Sequence, residues 1–137
     1  MYIEDIDIDD LIAEVKKIAA ANPDHIYTDK RDSMGFGQAT CFYERNGKPS
    51  CIMGQALHTL GVPIEELMAF DTTHQGSIVS LLTKYGKYDS HDEYGEDLVS
   101  KKLVWLNDVQ YLQDTLKPWG VAVESAYGNL VSGGYNL

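Results

Sequence analysis

Residues 40–62 read TCFYERNGKPSCIMGQALHTLGV, and the change of pattern inside this stretch decides the fold. β-forming residues flank Asn46-Gly47, a pair that supplies the positive φ a tight hairpin turn needs. The two strands are read as Thr40–Arg45 and Lys48–Ile52. From about Ser50 the apolar spacing turns helical: Ile52, Met53, Ala56, Leu57 and Leu60 share one face, and Gly61 ends the run. A hairpin that runs straight into a helix predicts an α+β domain.

The turn length decides what Cys41 and Cys51 can do. A two-residue turn at Asn46-Gly47 pairs Phe42 with Cys51 and sends the two sulfurs to opposite faces. A three-residue turn, with Gly47 in a left-handed bulge, pairs Cys41 with Cys51, their β-carbons about 4.5–5.5 Å apart. The Asn-Gly-Lys order allows either. Free cysteine is among the most buried residue types, so the expectation is two reduced, structural thiols.

Outward from the hairpin, the chain is rich in helix signals. Ile8, Leu11, Ile12, Val15, Ile18 and Ala19 predict a helix over about 9–21, capped by Asp7 or Asp9 and stopped at Asn22-Pro23. His25–Thr28 is a short strand candidate, and 29–39 a loop containing Gly35 and Gly37. Pro63 opens a short helix carrying Leu67, Met68 and Phe70. Further helices are expected over about 77–85, 98–116 and 119–127, the second with Leu103, Leu106, Val109 and Leu112 as its apolar stripe. The reading is a single domain over 1–137: a small antiparallel sheet built on the 40–52 hairpin and packed by five or six helices.

Composition sets the outer limits of function. A 137-residue chain with 44% hydrophobic residues can bury a core unaided. Twenty-one acids against 11 bases leave a net charge of −10, which opposes phosphate backbones and anionic membranes and suits a partner with a basic surface. The N-terminus, MYIEDIDIDD, lacks the positive and apolar regions of a signal peptide, so the expected location is cytoplasmic, with no membrane contact.

No stretch carries a complete catalytic or metal-binding pattern. Cys51 lies where a helix begins, a position that lowers a thiol pKa, and Gln55 and His58 follow on the same helix. Cys51 and His58 are two turns apart, about 10 Å along the axis, so a Cys–His pair needs His25, His74 or His91 instead. Cys41 and Cys51 could supply two zinc ligands, but no close ligand pair accompanies them. Residues 56–70 imitate a helix-turn-helix, yet the second helix carries Glu65 and Glu66 and no basic residue, against the needs of DNA contact. SMGFGQAT lacks the Lys-Ser/Thr ending of a phosphate loop. Acids gather at Asp89, Asp92, Glu93, Glu96 and Asp97, interleaved with Tyr88, His91 and Tyr94. Their spacing does not fit a calcium loop. They form either a solvated loop or a contact surface where tyrosines add area and acids add steering.

The combination NGKPSCIMGQALHTLGVP, with NPDHIY upstream and QYLQDTLKPWGVAV downstream, resembles small proteins encoded by actinobacteria and their phages. Their shared pattern is Gly-x-Pro-Ser-Cys-Ile-x-Gly-x-Ala-Leu-x-x-Leu-Gly-Val-Pro, with Gln-Asp and Trp-Gly-x-Ala-Val near the end. The match covers about residues 18–126 and leaves out the 87–97 loop and the tail from Gly128. The resemblance implies a phage or actinobacterial cytoplasmic protein and brings no catalytic residues with it.

The expected function is therefore non-enzymatic: an interaction protein, with a phage-encoded modulator of a host protein as its specific form. Tyr88, Asp89, Asp92, Glu93, Tyr94, Glu96 and Asp97 are its candidate partner surface, and no cofactor or metal is expected. The alternatives are a small-molecule binder or cysteine-dependent enzyme with a site at Cys51, Gln55 and His58, and an acidic mimic of DNA. The sequence does not give the oligomeric state.

Overall fold

The computed structural model describes residues 2–28, 41–74, 77–89 and 97–132. Six α-helices and one two-stranded antiparallel sheet occur among them: α1 Ile8–Ala21, β1 Glu44–Arg45, β2 Lys48–Pro49, α2 Ile52–Thr59, α3 Ile64–Ala69, α4 Ile78–Lys84, α5 Leu98–Asp114 and α6 Trp119–Ser132. A short 3₁₀ turn over Ile3–Asp5 precedes α1, and a π turn over Phe70–His74 continues α3. This is the α+β arrangement read from the sequence, a small hairpin packed by helices.

Three helices, α1, α4 and α5, start where an oxygen-bearing side chain takes their unpaired N–H groups. Asp7 Oδ1 accepts from the N–H of Asp9 at 2.9 Å and of Asp10 at 3.3 Å. Ser77 does the same for Ser80 at 3.1 Å, and Asp97 for Ser100 at 2.8 Å. Helix α2 ends at a glycine turn, with Gly61 and Val62 N–H groups returning to the carbonyls of His58 and Leu57. Pro63 is the N-cap of α3 rather than its first helical residue.

The buried faces meet in one apolar cluster. Leu11 and Val15 of α1, Ile52, Met53 and Leu57 of α2, and Leu103, Trp105, Leu106 and Val109 of α5 are fully buried in it. Helix α5 packs along α6, and α1 packs on α2, α5 and α6. Fully burying one such aliphatic side chain contributes about 1.5–3 kcal/mol. The cluster therefore outweighs the two short strands, whose ladder spans two residue pairs.

Two expectations change. Residues 25–28 form no strand. The His25 carbonyl instead accepts from Trp119 N–H at 2.9 Å, and the Pro23 carbonyl from Gly120 N–H at 2.9 Å. The Pro23 and His25 carbonyls thus cap the buried start of α6. Helix α6 also runs on to Ser132, past the expected end at Tyr127. The 29–39 loop, most of the acidic loop (90–96) and the tail from residue 133 lie outside the described residues.

The hairpin takes the two-residue turn. Glu44 pairs with Pro49 and Arg45 with Lys48, and Asn46 and Gly47 have φ of 56° and 79°. Both turn residues lie in the left-handed region that this turn type requires. Beyond the ladder the register continues but the alternation of N–H direction does not. Ser50 N–H donates to Tyr43 O at 3.1 Å, and the next N–H, of Cys51, donates to Phe42 O at 2.9 Å. In a regular ladder consecutive N–H groups point to opposite sides, so the chain is already turning toward α2 at Cys51.

Gly54 lies against the hairpin. A Cβ there would overlap the Tyr43 carbonyl oxygen and come within 2.8 Å of Tyr43 C and Cα, which are backbone atoms. A Cβ on Gly47 would meet nothing within 4 Å. Gly47→Ala is therefore expected to cost only its backbone strain, about 1 kcal/mol. Gly54→Ala should cost roughly 3 kcal/mol or more, because α2 and the hairpin must move apart. Urea denaturation of both variants checks the order, and equal losses would contradict the packing described here.

Candidate functional site

Cys51 is the N-cap of α2, and its Sγ lies 3.4 Å from the Gly54 N–H. It is fully buried and forms a disulfide with Cys41, Cα to Cα 5.3 Å. This corrects the expectation of two reduced thiols. It also corrects the view that a two-residue turn separates the sulfurs. That view extends the ladder as a regular strand through Cys51, whereas the chain leaves the strand there to cap α2, and the Cys51 side chain faces Cys41. In the disulfide neither sulfur is a thiolate nucleophile or a metal ligand.

The other residues of this candidate site have structural partners. Gln55 Nε2 donates to the Ser50 carbonyl at 2.9 Å. His58 is exposed at the far end of α2, where Nδ1 lies 3.0 Å from the Val62 carbonyl. A carbonyl only accepts, so that nitrogen carries the proton. Cys51 and Gln55 thus meet around Ser50, while His58 stands apart. His25 packs against Trp119 with the rings tilted by 59° and their centroids 4.4 Å apart. His91 and the side chain of His74 lie outside the described residues. Among the described residues no group of three or more His, Cys, Asp or Glu is placed to hold a metal ion.

A buried polar network beside Cys51 was not read from the sequence. Gln113 Oε1 accepts from the Ile52 N–H at 2.8 Å and from Trp119 Nε1 at 3.2 Å. Gln110 Oε1 accepts from the Ile78 N–H at 2.7 Å, and its Nε2 lies 3.4 Å from the Tyr43 hydroxyl. Both glutamines are buried. A signal was present: Leu103, Leu106, Gln110 and Gln113 recur at helical spacing, which puts two amides on the core-facing stripe. On the other side of Tyr43, the Asp71 carboxylate accepts from the N–H groups of Tyr43 and Glu44, each at 2.9 Å. Burial raises the Asp71 pKa, and those two hydrogen bonds oppose the rise.

Asp114 lies next to this network. Burial pushes its carboxyl up to about 7, opposed by a hydrogen bond from Gln113 Nε2 at 3.1 Å.

The acidic loop is described only at its two ends. The Tyr88 hydroxyl accepts from the Ile8 N–H, at the start of α1, at 2.7 Å. Asp97 caps α5, and Asp89 is exposed. Asp92, Glu93, Tyr94 and Glu96 lie outside the described residues. Tyr88 and Asp97 therefore hold helix starts in addition to any contact role.

An open cavity of about 470 Å³ lies on the N-terminal face, lined by Tyr2, Ile3, Glu4, Glu66, Ala69, Phe70 and Tyr85. Its walls combine tyrosine rings with carboxylates. A second groove, about 400 Å³, runs between α1 and α6 and is almost wholly apolar, with Lys16 and Glu124 among its lining residues. No helix among the described residues is long and apolar enough to cross a membrane.

Two measurements test this description. Intact mass without reductant should fall two hydrogens below the sequence mass, and Cys41→Ser should lower stability by about 2–3 kcal/mol, the scale for opening a short loop. A full complement of free thiols would overturn the linkage.

The second concerns pH. The folded-state pKa of Asp114 is raised above its unfolded value, so between about pH 4 and about pH 7 the folded chain holds a proton that the unfolded chain has released. The stability from this group is complete at the acid end and is lost as pH rises through 7. Asp114→Asn should remove that part of the decline in melting temperature. Parallel wild-type and variant curves would refute the assignment.

No family model, no curated protein and no solved structure matches this chain.

Proposed function

We propose that this chain is a non-enzymatic interaction protein that engages a basic surface on another protein. The observation that carries the reading is the N-terminal face. There Tyr2 and Glu4, both exposed, share one cleft with Glu66 and Tyr85, and Asp5 stands beside them in the same 3₁₀ turn. Tyrosine area among acidic groups is the composition of a steering contact surface: acids raise the encounter rate and rings hold the complex. The net charge of −10 acts in the same direction over the whole molecule. A phage-encoded modulator of a host protein, expected in the actinobacterial cytoplasm, is the specific form that the sequence resemblance favours, although the Cys41–Cys51 disulfide is uncommon in a reducing compartment. The acidic loop is the second contact region.

Binding to a basic protein partner should weaken as salt rises, because exposed charges are screened beyond roughly 8–10 Å at physiological ionic strength. Charge neutralisation at Glu4 and Asp5, and separately at Asp89, Asp92, Glu93 and Glu96, should slow association at low salt. Asp97 is kept because it caps α5. Surface plasmon resonance on a partner retained from actinobacterial lysate supplies the rates. Association that is indifferent to both salt and neutralisation would refute the reading. Micromolar binding to duplex DNA would refute the expectation that this surface rejects nucleic acid.

A further inference from the structure

We infer that the cleft between the N-terminal turn and α3 is a socket for one organic cation on an apolar stem, the side chain of an arginine or lysine presented by the basic partner. The inference rests on the interaction reading above and names the group that its face receives.

The lining divides by chemistry. Ile3, Ala69 and Phe70 supply apolar surface, with Ile3 and Phe70 themselves almost fully covered. Tyr2, 58% exposed, and Tyr85, 38% exposed, bring aromatic rings to the same cavity. Ring faces attract guanidinium and ammonium groups, more strongly where water is excluded. Glu4 and Glu66 bring the opposite charge. A space of about 470 Å³ lies within the range of ordinary ligand sites. Long basic side chains suit such a mixed lining, since their methylene stems cover apolar surface while the charged end seeks an anion.

Glu66 shows that the site is electrostatically incomplete among the described residues. Its Oε2 is buried to less than 1 Å² and has no hydrogen-bond partner. Burial raises its pKa; the Ile3 N–H, which donates to the carboxylate, and the positive charge of the chain's N-terminus oppose the rise, while Glu4 and Asp5 add to it by repulsion. A buried carboxylate oxygen without a donor has lost its water and gained no hydrogen bond in return. A cation entering the cleft offsets, by charge attraction, both the burial of the ionised Glu66 carboxylate and the repulsion from Glu4 and Asp5. A neutral guest of the same shape offsets neither. An anionic guest adds to both.

The cleft is also held by the rest of the fold. Its rear wall, Ala69 and Phe70, leads directly into Asp71, whose carboxylate is fixed by two hairpin N–H groups. Phe70 packs edge-on against Tyr43 at 6.1 Å between centroids. The socket is therefore largely formed before a guest arrives.

The test uses the full chain and two matched probes, butylguanidinium and its neutral counterpart butylurea, followed by amide NMR. Butylguanidinium should give saturable shifts at Tyr2, Ala69 and Tyr85, and butylurea should give none. Glu66→Gln, which keeps the side-chain shape, should weaken the cation roughly tenfold, the scale of one charge-assisted contact. Glu4→Gln, at an exposed position that cannot threaten folding, should weaken it less. Glu65→Gln, on the exposed side of α3, should leave it unchanged.

Equal binding of the two probes, unchanged binding to Glu66→Gln, or unsaturable shifts spread over all acidic surfaces would each overturn the socket. The two readings fail separately. A basic partner held equally well by Glu66→Gln and the parent chain sinks the socket and leaves the interaction reading standing. A cleft that takes butylguanidinium in a chain indifferent to basic proteins sinks the interaction reading, and with it the assignment of the guest to a partner's side chain.

Discussion

The amide oxygen of Gln113 fastens three elements at one buried point. It accepts from the first N–H of α2 and from the indole of Trp119 at the start of α6, while it sits on α5. One turn earlier, Gln110 does the same for the first N–H of α4. The start of a helix carries N–H groups with no partner inside the helix, and these starts are buried. The Cys51 sulfur is a weak acceptor at 3.4 Å from Gly54 N, so the Ile52 N–H depends on Gln113. Replacing that amide with an apolar side chain of similar volume would leave the Ile52 and Trp119 donors unmet, and each unmet buried donor costs about 1–3 kcal/mol. The path of α2, α4 and α6 relative to α5 is thereby set by hydrogen bonds as well as by apolar packing.

The hairpin gains its stability from the same logic, since two residue pairs of ladder hold little by themselves. Asp71 binds two consecutive N–H groups of β1 and the residue before it, Gly54 admits the Tyr43 backbone against α2, and the Cys41–Cys51 disulfide ties the strand's approach to the helix cap. Tyr43, 1% exposed, fills the space between. Through Asp71 this arrangement continues into Phe70 and Ala69, the rear of the N-terminal cleft. The hairpin thus braces the surface proposed for the partner.

The acidic composition has more than one cause. Asp7 and Asp97 cap helices, Asp71 anchors the hairpin, and Asp9 pairs with Lys102 at 2.6 Å. Acids at helix starts are favoured by the helix dipole as well as by capping. What remains exposed near the N-terminal turn, Glu4 and Asp5, is available for steering. Such pairs and caps contribute modestly to stability when exposed, so the surplus of negative charge bears more on association than on folding.

Much of the fold was legible in the sequence because its signals are local. Asn46-Gly47 dictates the left-handed turn, the 3.6-residue apolar period dictates α1, α2 and α5, and Asp7 marks the start of α1 through a side chain that reaches only two or three residues. The candidate site was read poorly, because it depends on groups distant in the chain. Whether Cys41 meets Cys51 is decided outside the regular ladder, where the chain leaves the strand at Cys51 to begin α2. Residues 25–28 have β-forming character but form no strand, and the His25 carbonyl caps α6. Gln110 and Gln113 read as ordinary polar helix residues until the N-termini of two other helices arrive beside them. The cleft joins residues 2–4, 66–70 and 85, which no spacing rule connects. Local periodicity fixed which segments became helix and turn, and only the packing of those segments against one another decided which polar groups were left to meet.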